Sequence, residues 1–428
     1  MEKRTKKILT RVALITLLAL VVSALLLQID DELDPEAKTM LDSLQYGGES
    51  QAYFYLLGID AASNKDPIEV GKVLYASIKE AEVKYFDEGQ EYEYEGLDDK
   101  KDLPLPGGEA FCQLNAEECI GYLLGGEYDI REILNKYAVL KERYSQLIKL
   151  DDYKSLSRPV LMMRFPSYQY IARGNRLSQL QALLMMRESD IDSSVNTLIQ
   201  NISDLRKQLE RADDLIGKMI YLSQISDSLD VLSVICEHEK YTLTQHISPL
   251  TLDERKLDTV MNRELVFGYN IVSKHWNDPE FLGLGKLTPD WIVRIFFKVN
   301  MTMNAIYPLY KDAIYRSNLD QKEFALAVEA GEMKALKTSY VRNIAGSIMN
   351  DMAVSFDRYI DRLFALNAKI YLFNQTGGVR SLSSVVGNIN NPYYSDKGKA
   401  YLSDDMKSVC AEGPFEDNEK YRCLRVKI

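Results

Sequence analysis

The chain has 428 residues, 46% hydrophobic and 27% charged, with a formal net charge of −11 at pH 7. That composition is ordinary for a globular protein and long enough to bury a sizeable core, in two or more subdomains. The acidity argues against nucleic acid, whose affinity comes largely from neutralised phosphates, and against a body lying flat on an anionic membrane.

The charge is unevenly placed. Residues 1–11 carry five basic residues (Lys3, Arg4, Lys6, Lys7, Arg11) and one acid, a net +4, which leaves −15 for the remainder. An apolar run extends from Val12 to Leu27, interrupted only by Thr16 and Ser23. Counted from Ile8 to Ile29 it is 22 residues, about 33 Å of helix against a bilayer core of ~30 Å. Asp30, Asp31, Glu32 and Asp34 come next. Basic residues before a span keep the N-terminus cytoplasmic and export the chain beyond the span. Residues 1–11 therefore read as a cytoplasmic tail and residues 12–29 as a single-pass signal anchor. The competing reading is a signal peptide cleaved after the small residues Val22 and Ala24. Leu25, Leu26 and Leu27 continue the apolar run past that point and favour retention.

Residues 30–127 read as acidic, membrane-proximal helices and a loop. Asp66 and Pro67 supply an N-cap and a first-turn proline for a helix to about Tyr85. The stretch 86–127 is the longest irregular one, and the Glu-Tyr alternation of residues 91–95 fits a short edge strand. From Glu80 to Glu109 there are eleven acids against three lysines. The Asp-x-Asp-x-Asp-Gly spacing of a calcium loop is missing, so a solvated acidic loop is the better reading.

Residues 128–378 read as a helical body. Leu134, Tyr137, Leu140, Tyr144 and Leu147 mark one helix from Tyr128 to Leu150. Long helices then run to about Lys240, with breaks near Asp190–Asp192 and Ala212–Asp214, as in antiparallel hairpins. Next are a helix from Thr251 to Ser273 and a loop from Asn277 to Leu287. Thr288-Pro289-Asp290 is a helix start, leading to an apolar face of Ile292, Ile295, Phe296, Val299, Met303, Ile306 and Tyr310. Further helices cover about 319–345 and 349–374, the second ended by Gly377-Gly378. Residues 379–428 are turn-rich and read as a small hairpin cap, with a strand within Tyr421–Val426. The fold class expected is all-α: an N-terminal transmembrane helix, then an irregular helical bundle of hairpins with a disulfide-closed C-terminal cap.

Four of the five cysteines form two close pairs in polar segments. Bridges Cys112–Cys119 and Cys410–Cys423 are expected in an oxidising compartment. Zinc is the poorer alternative, since neither pair has Cys-x-x-Cys spacing or a nearby histidine. Cys236 lies in an apolar helix and reads as a buried thiol.

Catalytic chemistry finds no foothold. His238-Glu239-Lys240-Tyr241-Thr242 fails the His-Glu-x-x-His pattern at its fifth position, and His275 reads as a helix C-terminus. Gly346-Ser347 is not a nucleophile elbow. Gly283 and Gly285 lack the third glycine and the preceding strand of a dinucleotide site. Asp213-Asp214 and Asp404-Asp405 read as a helix start and a solvated turn. Asn300 and Asn304, one helical turn apart, read as hydrogen-bond partners of a neighbouring helix. No catalytic residue, metal or cofactor is assigned.

Four segments occur in order after the anchor: Arg211-Ala-Asp-Asp-Leu-Ile-Gly-Lys-Met-Ile220, Asn300-Met-Thr-Met-Asn304, Arg342-Asn343-Ile-Ala-Gly346 and Asn391-Pro392-Tyr393. This arrangement resembles a family of uncharacterised single-pass inner-membrane proteins of proteobacteria, over about residues 130–400. The resemblance implies an envelope location and a helical body, and no mechanism. The expectation is a helical body in the periplasm, tethered to the bacterial inner membrane through residues 12–29. Its role is to bind or scaffold an envelope protein, the 27 tyrosines offering stiff contact surface. The competing classes are an enzyme with a carboxylate, Tyr and Lys site assembled from distant residues, and a binder of an apolar small molecule.

Overall fold

The computed structural model describes residues 2–94, 102–114, 118–125, 128–243, 245–275, 278–280, 282–283, 285–331, 339–353, 355–376, 386–394 and 398–427. Helix α1 (Glu2–Leu26) is exposed along its described side chains, and its apolar part, Lys6–Leu26, is long enough to cross a bilayer. The short helices α2 (Pro35–Asp42) and α3 (Gln51–Leu57) lead to α4 (Pro67–Phe86). Asp66 caps α4 as expected, accepting hydrogen bonds from the amides of Ile68 and Glu69. The backbone of Phe54 passes so close to Gly71 that a Cβ there would lie 1.8 Å from the Phe54 carbonyl oxygen. The pairing of α3 with α4 therefore depends on glycine.

Next come α5 (Cys119–Gly125), α6 (Ile130–Lys136) and α7 (Ala138–Leu147). The single helix expected over 128–150 is thus two, joined at Tyr137, whose ring packs on Phe111. The three long helices α8 (Gln169–Arg187), α9 (Ile191–Arg211) and α10 (Leu215–His238) form successive hairpins, with breaks where Asp190 and Asp214 cap α9 and α10. Helix α10 is long and apolar enough to span a membrane, but it is mostly buried. A helix apolar on all sides is the centre of a core, and here α8, α9, α12, α17 and the C-terminal sheet surround it.

The remaining helices are α11 (Leu252–Arg255), α12 (Asp258–Lys274), α13 (Asp290–Phe296), α14 (Val299–Ser317), α15 (Gln321–Glu329), α16 (Ile344–Asp351) and α17 (Asp357–Thr376). The helix expected to continue from residue 290 to Tyr310 is broken at Phe297–Lys298. The Asn343 side-chain oxygen takes the Lys298 amide at 2.9 Å, a tertiary bond in place of a helical one. Pro289, not Thr288, occupies the N-cap of α13 and gives no side-chain bond. Strands β1 (Tyr401–Leu402), β2 (Ser408–Cys410) and β3 (Cys423–Arg425) form an antiparallel sheet in that order, with Cys410 opposite Cys423.

Both expected bridges, Cys112–Cys119 and Cys410–Cys423, are formed. Loops this short constrain the unfolded chain by roughly 2–3 kcal/mol each. The edge strand expected at residues 91–95 is absent from the described part. Tyr92 instead tucks against Tyr85, and Tyr94 lies under Arg164. Residues 95–101, with part of the acidic loop, and Gly377-Gly378 lie outside the described residues.

One apolar core runs from Ala52 to Val426 and takes in the C-terminal sheet, so the cap is continuous with the body. A smaller core of Leu265, Val272, Phe297 and Met303 lies where α2, α12, α14 and α16 meet.

Candidate functional site

A buried polar layer crosses α7 to α10. The Tyr144 hydroxyl donates to Asn201 at 2.8 Å, the Asn201 amide donates to Asn175 at 2.8 Å, and Asn175 donates to the Gln224 side chain at 3.1 Å. Ser228 donates to Asn175 and receives Gln179 at 3.3 Å. Buried hydrogen-bond networks of this kind fix helix register in an otherwise apolar core.

At one edge the layer opens into a cleft of about 440 Å³ between α8, α10, α17, the first disulfide loop and β3. Arg173, Arg176 and Gln179 recur every three residues along α8, and Gln224, Asp227 and Asp230 do so along α10, so each set lines one helix face. Cysteines of both bridges, Cys112 and Cys423, contribute to its wall. Arg176 holds the first bridge in place, donating to the carbonyls of Ala110 and Cys112 at 3.3 and 3.0 Å. Asp230 holds the opposite wall: it accepts Lys369 Nζ at 2.7 Å and the Arg425 amide at 2.9 Å, tying α17 and β3 to α10.

Two buried atoms in this cleft have no hydrogen-bond partner among the described residues, Arg176 Nε and Gln179 Oε1, and the half-buried Asp227 carboxylate lies with them in the lining. Burial lowers the Arg176 guanidinium to about 10, and it raises Asp227 to about 6 against the pull of Arg176. At neutral pH the cleft thus presents a desolvated cation, a desolvated anion and a neutral acceptor. None of these residues stands out in the sequence. The signal available there is the three-residue recurrence of polar side chains on helices that are otherwise core.

A second cleft, also about 440 Å³, is lined by Tyr46, Tyr153, Asp213, Lys218, Lys256 and Arg263, among others. Burial lowers Lys218 to about 8. Its ammonium donates to the Leu209 carbonyl in the last turn of α9, which gives it a capping task at the negative helix pole. Asp214 caps α10 through Gly217, and Asp213 accepts both the amide and the hydroxyl of Ser155. The pair is a junction of chain segments rather than only a helix start.

A third cluster surrounds the exit from α1. Asp30 accepts the amides of Asn300 and Met301 at 2.8 and 3.1 Å, capping α14 from outside. Asn300 and Asn304 donate to the carbonyls of Asp31 and Glu32, and Asn304 accepts the Asp34 amide. Expected to bond a neighbouring helix, these two asparagines hold the extended segment after α1 instead. Arg342 donates to the Ile29 carbonyl at 3.0 Å and to Asp31 at 2.9 Å. Two of the four ordered segments thus converge on one clamp. The Arg211–Ile220 segment forms the α9–α10 junction. In the fourth, Tyr393 donates to Asp361, which also pairs with Arg422 at 3.0 Å.

The other expected residues lie apart. Cys236 is a buried thiol, pushed up to about 12 by burial. His238 contacts Glu239 on the surface, and His275 is the C-cap of α12. Asp405 accepts Ser403 and the Lys407 amide in an exposed turn. Many tyrosines are core: Tyr53, Tyr144, Tyr153, Tyr168, Tyr221 and Tyr393 are buried. Comparison with protein-family models, with curated proteins and with solved structures finds no match.

Proposed function

We propose that this chain is a binding protein held at the bacterial inner membrane by residues 12–29, with its N-terminus in the cytoplasm and its body in the periplasm. Its α8–α10 cleft takes a small polar ligand bearing both an acceptor and a donor, such as a carboxylate beside an amine or amide. The observation that carries this reading is the convergence of two buried unpartnered polar atoms, Arg176 Nε and Gln179 Oε1, on one cleft that the Asp227 carboxylate also lines. A buried polar atom without a partner costs about 1–3 kcal/mol, which a ligand recovers by bonding it. The location rests on the apolar α1, its basic flank and two disulfides. The polar lining speaks against an apolar ligand, and the buried tyrosines speak against a tyrosine-rich contact surface.

The test is thermal unfolding of the full chain in lipid nanodiscs against a panel of amino acids, dipeptides, short carboxylic acids and sugars. Members with a carboxylate or amide are expected to raise the midpoint, the stabilisation reaching ~2.7 kcal/mol at 100 times Kd. Asp227→Asn and Arg173→Ala should each weaken that ligand by roughly tenfold. If no member of the panel moves the midpoint, the small-ligand reading fails. Recovery of one envelope protein after crosslinking in membranes would then mark a scaffold.

A further inference from the structure

Helix α16 leaves part of its apolar surface uncovered: Ala345 and Met349 pack on the small core, but a second apolar stripe does not. Its small and polar residues Gly346, Ser347 and Asn350 face inward, Asn350 donating to the Thr302 carbonyl at 3.1 Å. Ile344 and Ile348, with Met352 at the helix C-cap, are four apart and face outward, 37%, 51% and 75% exposed. Such a stripe is the hydrophobic face a helix ordinarily buries. The surrounding surface extends it. Helix α13 packs beside α16 and exposes Trp291 at 53%, with Leu287 just before it at 96%. Tyr340 and Val341, preceding α16, are 52% and 78% exposed. Scattered exposed apolar side chains are commonplace, but a contiguous set on adjoining elements marks an interaction site.

The position of this surface identifies what covers it. Arg342, next to Val341, is bonded to the Ile29 carbonyl and to Asp31. Asp30 caps α14, and the Asn343 side chain takes the Lys298 amide between α13 and α14. Lys298 Nζ closes the knot by donating to the carbonyls of Arg294, Ile295 and Arg342. Only Leu27 and Gln28 separate the end of α1 from Ile29, at most about 11 Å of chain. The apolar surface is therefore hydrogen-bonded to the residues that leave α1. Its chemistry is that of a bilayer interface: Trp and Tyr suit headgroup depth, and Lys286 and Arg294 supply cations near them in the chain.

We propose that the α13–α16 surface lies in the headgroup layer of the bilayer that α1 crosses, seating the body on the membrane in one orientation. This rests on the reading of α1 as a retained anchor. It also confines membrane contact to one apolar patch, which the acidity of the rest of the body permits.

The chain has two tryptophans, so Trp276→Phe leaves Trp291 as the sole reporter. The full-length variant is reconstituted into phosphatidylethanolamine–phosphatidylglycerol vesicles containing lipids brominated near the headgroup or deep in the chain. Shallow bromine is expected to quench Trp291 by about twofold or more, and deep bromine less, as for an interfacial ring. A Tyr401→Trp reporter in the Trp276→Phe, Trp291→Phe background, on the C-terminal sheet, is expected to stay unquenched. Should Trp276→Phe misfold, Met352→Cys carrying an environment-sensitive dye replaces it, with a blue shift expected on reconstitution. A chain that floats with the vesicles after alkaline washing, yet shows an unquenched Trp291 or a water-exposed dye, overturns the seating and leaves the anchor standing. So does quenching replaced by crosslinks between copies through Met352. A chain that does not float overturns the anchor reading, and the seating with it.

Discussion

Two aspartates with similar titration, half-buried Asp227 and buried Asp361, behave differently because of what they touch. Asp227 interacts with the Arg176 guanidinium through charge, whereas Asp361 is hydrogen-bonded by Tyr393 and Arg422. Burial raises both to about 6, above the ordinary carboxyl value of about 3.9. The folded state therefore binds these protons more tightly than the unfolded one. Their stabilising contribution is full below about pH 4 and is lost as pH rises through about 6. Asp227→Asn is expected to remove its share of that slope, so its stability relative to the native chain rises between pH 4 and pH 7 by on the order of 2 kcal/mol. Equilibrium unfolding at the two pH values checks it, and parallel curves refute it. Asp361→Asn should instead destabilise at pH 7 by about 3 kcal/mol, because it leaves the buried Arg422 guanidinium with only the more distant Asp417, 4.0 Å away, as counter-charge. A denaturation midpoint matching that of the native chain would count against this pairing.

Among the elements, the junction of α14 with α16 is close-packed through a glycine, as α3 and α4 are. A Cβ on Gly346 would sit 2.0 Å from Thr302 Oγ1 and 2.3 Å from Asn343 Nδ2. Gly346→Ala is expected to push α16 away from α14 at a cost of about 1–3 kcal/mol. It should also release the Asn343–Lys298 bond, and with it the clamp on residues 29–34. Hydrogen exchange at the amides of Asn300 and Met301 reads the release directly; unchanged protection would show that the clamp does not depend on this contact. At the other end, Cys410→Ser with Cys423→Ser removes a bridge across β2 and β3 that forms part of the cleft wall. The expected loss is roughly 2–3 kcal/mol of stability, together with a smaller midpoint rise from any ligand of the α8–α10 cleft.

For the molecule as a whole, thiol chemistry reports the compartment. The chain has five cysteines, four in bridges and Cys236 buried. Protein taken from membranes under alkylating quench should accept one maleimide after denaturation without reductant, and five after reduction. Five without reductant would mean that the body matures in a reducing compartment. Much of the architecture was legible from local signals. The apolar run before Asp30, the cap Asp66, the helix breaks near Asp190 and Asp214, and the short cysteine spacings each act over a few residues, and each appears where the sequence puts it.

What the sequence by itself determined is the helical class, the apolar N-terminal helix, most helix starts and the pairing of close cysteines, since hydrophobic period, capping and loop closure are local. The tertiary structure decided the rest. The break at Phe297–Lys298 needs Asn343, the capping of α14 needs Asp30, and the cleft needs α8, α10, α17 and the C-terminal sheet together. The outward turn of Ile344, Ile348 and Met352 is likewise set by Thr302 and Asn343 claiming the inner face. A helical period specifies that one face is apolar, but which side faces the core depends on what the neighbouring helices offer it.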